Sequence, residues 1–339
     1  RGLGDVYKRQ EIAYVGSYEG IEKKLIADFN IPYTGISTGK FRRYLDPKNF
    51  SDPFRVMKGF VEARNYLKNY QPDVVFSKGG FVSVPVVRAA ASLHIPCIIH
   101  ESDMTPGLAN KLCIPVAEKV CCNFPETMKN IPADKAVLTG SPIRAELAQG
   151  SRLAGLNMCG FTANKPVIMV IGGSLGAANV NKAVRDALPK LLEDFQVVHL
   201  CGKDKIDNLL LNTPGYKQFE YIKAELKDIF AMADVVISRA GANAICELLA
   251  LKKPNILIPL PAASSRGDQL LNAASFEAQG YSIVLNEDDI TTNLLVDKVH
   301  ELYFNRQNYV EAMSRSHQMD AINTIMLLIN EAANKSHTQ

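Results

Sequence analysis

The sequence predicts an α/β protein in which two doubly wound, Rossmann-like domains are built on parallel sheets. Short apolar runs alternate with amphipathic helical stretches along the 339 residues, as in sheets whose two faces are both covered by helices. The runs outnumber the strands of one ordinary open sheet, so we expect two domains. The predicted strands are 12–15, 74–77, 97–99, 120–122, 137–139, 167–171, 196–200, 219–221, 235–237, 255–258 and 282–285.

The predicted domain boundary lies where a strand ends in the breakers Gly140 and Pro142. We expect an N-terminal domain over residues 11–143 and a C-terminal domain over residues 144–310.

Both ends of the chain are predicted to differ from the rest. Residues 1–10 have neither strand nor helix period, and we expect a non-native or misjoined start there. Residues 311–339 are expected to form a helical end that crosses back onto the N-terminal domain, because its apolar stripe needs a surface to pack on. That stripe is formed by Ile322, Ile325, Met326 and Ile329.

Composition narrows the classes of function. The net charge of +3 is too small to indicate nucleic acid. Seven cysteines without a C-x-x-C pair indicate a reducing compartment rather than a disulfide framework or a zinc site. No apolar run has the roughly 18 residues that a membrane-spanning helix needs. Because no Asp-x-Asp pair or metal-type histidine spacing is present, we expect no metal, and no cofactor is indicated.

The stretch Ser238–Glu247 predicts a nucleotide site. A helix opens after Gly241 at the end of a buried strand, so free backbone N–H groups and the positive end of the helix dipole meet there. Glu247 shares a helix face with Asn243 and Ala244, where its carboxylate can accept two hydrogen bonds from a ribose diol. An ordinary strand–turn–helix with an exposed glutamate is the equally open alternative.

A second strand end has a glycine turn before a helix. Gly172 and Gly173 permit close backbone approach, and Ser174 offers a hydroxyl. The pattern is neither a P-loop nor G-x-G-x-x-G, so it indicates an anion site without specifying a dinucleotide. Close packing of helix on strand is the structural alternative.

The segment after the predicted strand 74–77 is a third glycine turn. It lies at the edge where open α/β sheets bind ligands. Its candidate residues are Gly79, Gly80 and Phe81.

Residues 100–110 follow a buried strand with more polar groups than a loop needs. This density favours function over a structural histidine. The candidates are His100, Glu101, Asp103 and Asn110.

A proline-stiffened loop ends in Asp268 and Gln269 at a helix start. A carboxylate and an amide together can hold adjacent sugar hydroxyls. The structural alternative is that Asp268 is the helix N-cap.

The segment 40–68 carries eight basic and three acidic residues with aromatic residues between them. Such a segment, which includes Arg55 and Lys58, suits an anionic membrane surface. A solvated helix face whose phenylalanines are core is equally open.

Together these motifs resemble the MurG family of glycosyltransferases over nearly the whole chain from about Glu11. The most specific matches are Gly172–Ala177, Ser238–Ala242 with Glu247, His100–Glu101 with Pro106–Asn110, and Thr139–Arg144. The resemblance implies the GT-B fold, in which two Rossmann-like domains face each other across a cleft.

The resemblance also implies the reaction and its partners. The donor would be UDP-N-acetylglucosamine, and the acceptor would be lipid I, an undecaprenyl-diphosphate-linked MurNAc-pentapeptide. An inverting transfer to the C4 hydroxyl of MurNAc would form lipid II for the cell wall. The enzyme would be peripheral, on the anionic cytoplasmic face of the bacterial inner membrane, with cell-wall synthesis proteins as further partners.

Roles for individual residues follow from the same resemblance. Gly173 and Ser174 would contact the diphosphate, Glu247 the ribose, and Asp268 with Gln269 the sugar hydroxyls. Arg144 would lie near the donor, and Ala242, Asn243 and Ala244 would line its pocket. The acceptor and membrane side would include Gly79, Gly80, Phe81, Asn110, Arg55 and Lys58. The catalytic base stays open among His100, Glu101 and Asp103.

The sequence departs from the family at its start, where the loop Gly-Gly-Thr-Gly-Gly-His has no counterpart. We therefore expect weak donor binding and little turnover. Two other hypotheses stay open: a UDP-N-acetylglucosamine 2-epimerase on the same fold, and a non-catalytic protein that binds a sugar nucleotide.

Overall fold

The computed structural model describes residues 11–20, 22–39, 52–173, 177–262 and 267–336, and the structural statements below concern those residues. The strands are β1 Tyr14–Ser17, β2 Tyr33–Ile36, β3 Val75–Ser77, β4 Cys97–Glu101, β5 Lys119–Cys122, β6 Ala136–Leu138, β7 Val167–Ile171, β8 Gln196–Leu200, β9 Tyr216–Phe219, β10 Val235–Ser238, β11 Asn255–Leu257 and β12 Ser282–Val284. The helices are α1 Glu22–Ala27, α2 Asp52–Tyr70, α3 Ser83–Ser92, α4 Leu108–Cys113, α5 Pro125–Met128, α6 Arg152–Cys159, α7 Ala178–Asp194, α8 Leu226–Met232, α9 Ala242–Ala250, α10 Asp268–Ala278, α11 Thr292–Phe304, α12 Arg306–Ser314 and α13 Ala321–Ser336.

The chain divides into two compact units. Unit 1 contains the described residues of 11–101, 105–137 and 323–336, and unit 2 contains those of 102–104 and 138–322.

Unit 2 is built on a six-stranded sheet in the order β12-β11-β10-β7-β8-β9. Neighbouring strands in this sheet all pair in parallel. The order reverses between β7 and β10, which makes the carboxyl ends of these two strands the switch point where doubly wound sheets bind ligands.

Both faces of the unit 2 sheet are buried. Ile168 and Val170 of β7 pack with Val184 of α7 and Val299 of α11 on one face. Met169 points to the opposite face and is also fully buried. Strands covered on both sides have continuous apolar sequences, which is why the strands of this sheet could be predicted from the sequence.

Unit 1 contains a four-stranded sheet in the order β3-β4-β5-β6 and a separate parallel pair, β1 and β2. One face of the larger sheet packs on α3, where Val87, Ala89 and Ala90 are fully buried. Two parallel-sheet units confirm the predicted fold class.

The last helix, α13, covers part of the unit 1 sheet. Its Ile325 and Ala332 are buried against Ile98 of β4 and Cys121 of β5. Lys335 near its end donates to a carboxylate oxygen of Glu118 at 2.6 Å.

The largest differences from the sequence prediction are at β2 and β9. β2 is not predicted, because it is short, contains Gly35 and pairs only with β1. β9 lies at Tyr216–Phe219 rather than 219–221, because Gln218 is buried despite its polarity. The Gln218 amide exchanges hydrogen bonds with the backbone of Asp207, which compensates for that burial.

Within the described residues, no helix is both long enough and apolar enough to cross a membrane.

Candidate functional site

The first strand end of the site follows β7, at the switch point of the unit 2 sheet. Gly173 has a φ of +87°, a left-handed conformation that favours glycine. A Cβ on Gly172 would lie 2.8 Å from the amide nitrogen of Ala177, so the turn has no space for a side chain there. α7 begins without a side-chain cap, which leaves the N–H groups of its first turn for another acceptor. Ser174, the predicted hydroxyl donor, lies outside the described residues.

The second strand end follows β10 and is the direct neighbour of the first. Ser238 pairs in register with Ile171, so both strands end at the same level. Gly241 is the extended N-cap of α9, and no side chain caps this helix either. The first turn of α9 therefore presents N–H groups to the same edge. It consists of the predicted residues Ala242, Asn243 and Ala244.

Glu247 lies one turn into α9, with 24% of its side chain exposed. The guanidinium of Arg144 lies 3.8 Å from its carboxylate. Burial raises the pKa of Glu247, and the charge of Arg144 opposes that shift. Arg144 thus lies beside the residue predicted to bind ribose, and its own side chain is 57% exposed.

Asp268 and Gln269 open α10, but Asp268 is not its N-cap. The cap is Gly267, which has a φ of +81°, and no side chain caps the helix. The structural alternative for Asp268 is therefore wrong, because a glycine in the left-handed conformation ends the loop instead. The side-chain oxygen of Gln269 accepts a hydrogen bond from the Leu260 amide at 3.1 Å, which fixes the preceding loop to the helix.

Two buried polar side chains of this edge are not among the predicted site residues. Asn272 Nδ2 donates to the carbonyl of Ala240 at 3.1 Å, which ties α10 to the turn before α9. Arg239 Nη1 donates to the carbonyls of Ile258 and Pro259 at 3.0 and 3.2 Å. Arg239 could have been found from the sequence, because an arginine between a buried strand and a small-residue turn needs an internal partner for its charge. Asn272 could not, because it is a single amide in an amphipathic helix.

In unit 1, the turn after β3 contains two left-handed glycines, Gly79 with φ +90° and Gly80 with φ +89°. Ser77 Oγ donates to Ser83 Oγ at 2.6 Å, and Ser83 Oγ donates to the Gly79 carbonyl at 2.7 Å. The serine pair holds the turn in a conformation that only glycine adopts readily.

The polar cluster after β4 is brought together around Glu101. This buried carboxylate accepts hydrogen bonds from the Gly107 amide at 3.0 Å and from Asn110 Nδ2 at 2.8 Å. Asn110 Nδ2 also donates to the carbonyl of His100 at 3.2 Å. Glu101 and Asn110 thereby fix the loop that leads into α4.

His100 and Asp103 differ in accessibility. His100 is fully buried in β4, with its Nδ1 3.3 Å from Lys78 Nζ. A lysine ammonium only donates, so Nδ1 accepts this hydrogen bond. Asp103 is exposed.

The predicted basic residues Arg55 and Lys58 lie exposed on α2. Phe54, Met57 and Val61 are also exposed on this helix, at a spacing that puts them on one side. We call these five residues the α2 face. Phe60 instead packs against the unit 1 core, as the structural alternative predicts, whereas Phe54 does not.

Phe81 lines an apolar groove next to this helix, together with Val56 of α2 and Leu108 of α4. The remainder of the predicted segment, residues 40–51, lies outside the described residues.

Within the part of the chain that the structure describes, no group of three or more His, Cys, Asp or Glu side chains is arranged to hold a metal ion.

Two parallel-sheet units, one with uncapped helix N-termini and a carboxylate at its switch point, are typical of α/β proteins that bind nucleotides. The sequence matches the profile of the glycosyltransferase family 28 N-terminal domain over residues 5–122 and that of the C-terminal domain over residues 167–326. A relative from Lachnoclostridium phytofermentans is 63% identical over 321 residues, which cover 95% of this chain and 90% of the relative. Its name is UDP-N-acetylglucosamine--N-acetylmuramyl-(pentapeptide) pyrophosphoryl-undecaprenol N-acetylglucosamine transferase. The chain therefore belongs to glycosyltransferase family 28 and, within it, to the MurG family of N-acetylglucosaminyltransferases.

Solved structures agree with this assignment. The crystal structure of Acinetobacter baumannii MurG is 27% identical, with a TM-score of 0.75 over 97% of this chain and 93% of that one. The UDP-GlcNAc 2-epimerase from Neisseria meningitidis is 13% identical, with a TM-score of 0.65 over 95% of this chain and 91% of that one, and shows a shared fold only.

Proposed function

We propose that this chain transfers N-acetylglucosamine from UDP-N-acetylglucosamine to the C4 hydroxyl of MurNAc in lipid I and so forms lipid II for peptidoglycan. The observation that carries the proposal is the pair of strand ends at the unit 2 switch point. Each ends in a glycine turn and an uncapped helix N-terminus, and Glu247 lies one turn further on. Membership of the MurG family supports the same reaction.

The donor binds along this edge from phosphate to sugar. N–H groups at the starts of α7 and α9, with Gly173, bind the diphosphate through their partial positive charge. The Glu247 carboxylate accepts hydrogen bonds from the ribose diol. Asp268 and Gln269, on the first turn of α10, bind hydroxyls of the N-acetylglucosamine.

The transfer inverts the anomeric carbon. The acceptor hydroxyl attacks C1 of the sugar, the C1–O bond to the diphosphate breaks, and the electron pair leaves with UDP. Negative charge grows on the diphosphate in this step, so the same helix N-termini stabilise the transition state more than the bound donor. Arg144 contributes positive charge from beside Glu247.

The acceptor hydroxyl loses its proton to a base at the end of β4 or in the loop that follows it. The hydrogen bonds that Glu101 accepts from Gly107 and Asn110 hold the loop before α4, which supports a positioning role for this carboxylate. His100 and Asp103 remain the candidate bases. Gly79, Gly80, Phe81 and Asn110 belong to the same acceptor side.

The α2 face docks on the anionic cytoplasmic surface of the inner membrane, from which lipid I is taken. Phe54 is 78% and Met57 is 65% exposed, which exceeds what a solvated helix needs. Arg55 and Lys58 flank them and attract acidic headgroups. A peripheral site of this kind would allow association with cell-wall synthesis proteins at the same membrane.

The identity of the product tests the proposal. The chain is incubated with UDP-N-acetylglucosamine labelled in the sugar and a short-chain lipid I analogue, and the products are separated by chromatography. We expect slow formation of a labelled disaccharide lipid with one UDP per transfer, and much less of both products from the Glu247→Gln variant at the same, sub-saturating donor concentration. An epimerised UDP-sugar, or label that stays in the donor although UDP binds, would contradict the proposal.

A further inference from the structure

A buried ion pair spans the donor edge of unit 2. Arg239 follows β10, Glu287 follows β12, and the side chains of the two residues, only 10% and 8% exposed, form a salt bridge. The other carboxylate oxygen of Glu287 accepts a hydrogen bond from Asn179 Nδ2 at 2.6 Å. Asn179 lies in the first turn of α7.

This network joins the two helix starts to which the diphosphate is assigned. Arg239 immediately precedes the turn before α9, and its Nη1 is held by the carbonyls of Ile258 and Pro259. Asn179 is part of the N-terminus of α7 itself. Glu287 bonds to both, so its carboxylate sets the spacing between the two sets of free N–H groups.

Glu287 cannot bind the diphosphate directly, since its carboxylate is negative and occupied by Arg239 and Asn179. Its removal leaves the Arg239 guanidinium buried without its counter-charge. That is costly because one partner of a buried pair loses its compensation. Arg239 Nε is already buried with no hydrogen-bond partner among the described residues, so the guanidinium depends on Glu287 for charge compensation.

We infer that Glu287 is a positioning residue for the donor diphosphate, acting through Arg239 and Asn179 to hold the starts of α7 and α9 in place. The inference rests on the donor site proposed above. It predicts an effect on ligands that carry a diphosphate and none on ligands that carry only the base and ribose.

Calorimetric titration of the full chain with UDP and with uridine tests this inference. We expect Glu287→Gln to weaken UDP binding about tenfold while uridine affinity stays within about twofold, because loss of a charged hydrogen bond displaces only the phosphate-binding groups. Asn179→Ala removes one bond of the same network at an exposed position and should weaken UDP binding about threefold. Asp288→Asn makes the same charge change on the exposed neighbouring residue and should alter neither affinity.

Equal losses for UDP and uridine, or unchanged UDP affinity in Glu287→Gln, would overturn the inference. If Glu287→Gln does not fold, the same comparison in Asn179→Ala decides. If the unsubstituted chain binds neither UDP nor uridine, the proposed donor site itself is overturned, and the inference with it. This outcome is distinct from a failure of the inference alone, in which the unsubstituted chain still binds UDP.

Discussion

The Arg144 guanidinium lies 3.8 Å from the carboxylate of Glu247, which is on the helix that follows β10 in unit 2. Burial raises the pKa of Glu247, and the positive charge of Arg144 opposes that rise. A ribose-binding carboxylate must be ionised to accept two hydrogen bonds, so this pair links donor recognition to pH.

Glu247→Gln should weaken UDP binding about tenfold to a hundredfold, since a charged acceptor shared by two hydroxyls is replaced by an amide. The same change should leave the affinity for 2′,3′-dideoxy-UDP almost unaltered, because this ligand has no diol. Titration of both ligands measures the difference. The exposed Glu277→Gln is the matched control, and equal losses for both ligands would remove the diol assignment.

Arg144→Gln should move the acid limit of UDP binding to higher pH. Protonation of Glu247 removes its acceptor, and its raised pKa makes this loss begin at a higher pH than for an ordinary glutamate. Without Arg144 no positive charge opposes the effect of burial, so the pKa of Glu247 rises further. The affinity for UDP then falls at a higher pH as the solution is acidified. UDP titrations between neutral pH and pH 5 measure the shift, and an acid limit that is unmoved or lower would contradict the pairing.

Glu101→Gln should lower the free energy of unfolding by about 2 kcal/mol, because Gly107 and Asn110 both donate to one carboxylate oxygen, and a neutral amide oxygen accepts these two hydrogen bonds more weakly. Urea denaturation measures this loss. Glu19→Gln, at an exposed position of the same unit, should change stability by less than about 0.5 kcal/mol. Wild-type stability in Glu101→Gln would show that the carboxylate does not hold the loop.

Gly80→Ala should destabilise the chain by about 1–2 kcal/mol through its backbone alone. Its φ of +89° disfavours any side chain, although no atom lies within 4 Å of the new Cβ. Gly107→Ala has the same open space but a φ of −65°, so thermal unfolding should change little. Equal effects of the two substitutions would contradict the argument from conformation.

Phe54→Ser should reduce binding to vesicles of phosphatidylglycerol by about tenfold, since an exposed aromatic side chain of the α2 face no longer inserts. Arg55→Gln should reduce it about fivefold on the same vesicles and have no effect on phosphatidylcholine vesicles. Sedimentation with the vesicles measures both. Leu209→Ser is the control, because Leu209 is 94% exposed and lies in unit 2, and an equal loss there would contradict a specific docking face.

The unit 2 sheet could be predicted because strands covered on both faces have continuous apolar sequences and turns with glycine mark their ends. β2 and β9 could not, since Gly35 and Gln218 interrupt the pattern and tertiary hydrogen bonds decide the outcome. The local sequence also misassigns the N-cap of α10. Gly267 and Asp268 are adjacent and either residue type can precede a helix, and the structure places Gly267 at the cap in the left-handed conformation.

The candidate site could be predicted as a set of strand ends but not as a network. Glu247 and Arg144 are far apart in the sequence, and no local pattern indicates that they pair. The Arg239–Glu287 bridge likewise depends on the strand order β12-β11-β10, which places the ends of these strands side by side.

A crystal structure of the chain with UDP tests the central claim most directly. The account predicts ribose hydroxyls within hydrogen-bond distance of the Glu247 carboxylate and the diphosphate against the first turns of α7 and α9. UDP bound elsewhere, or with its ribose away from Glu247, would contradict it.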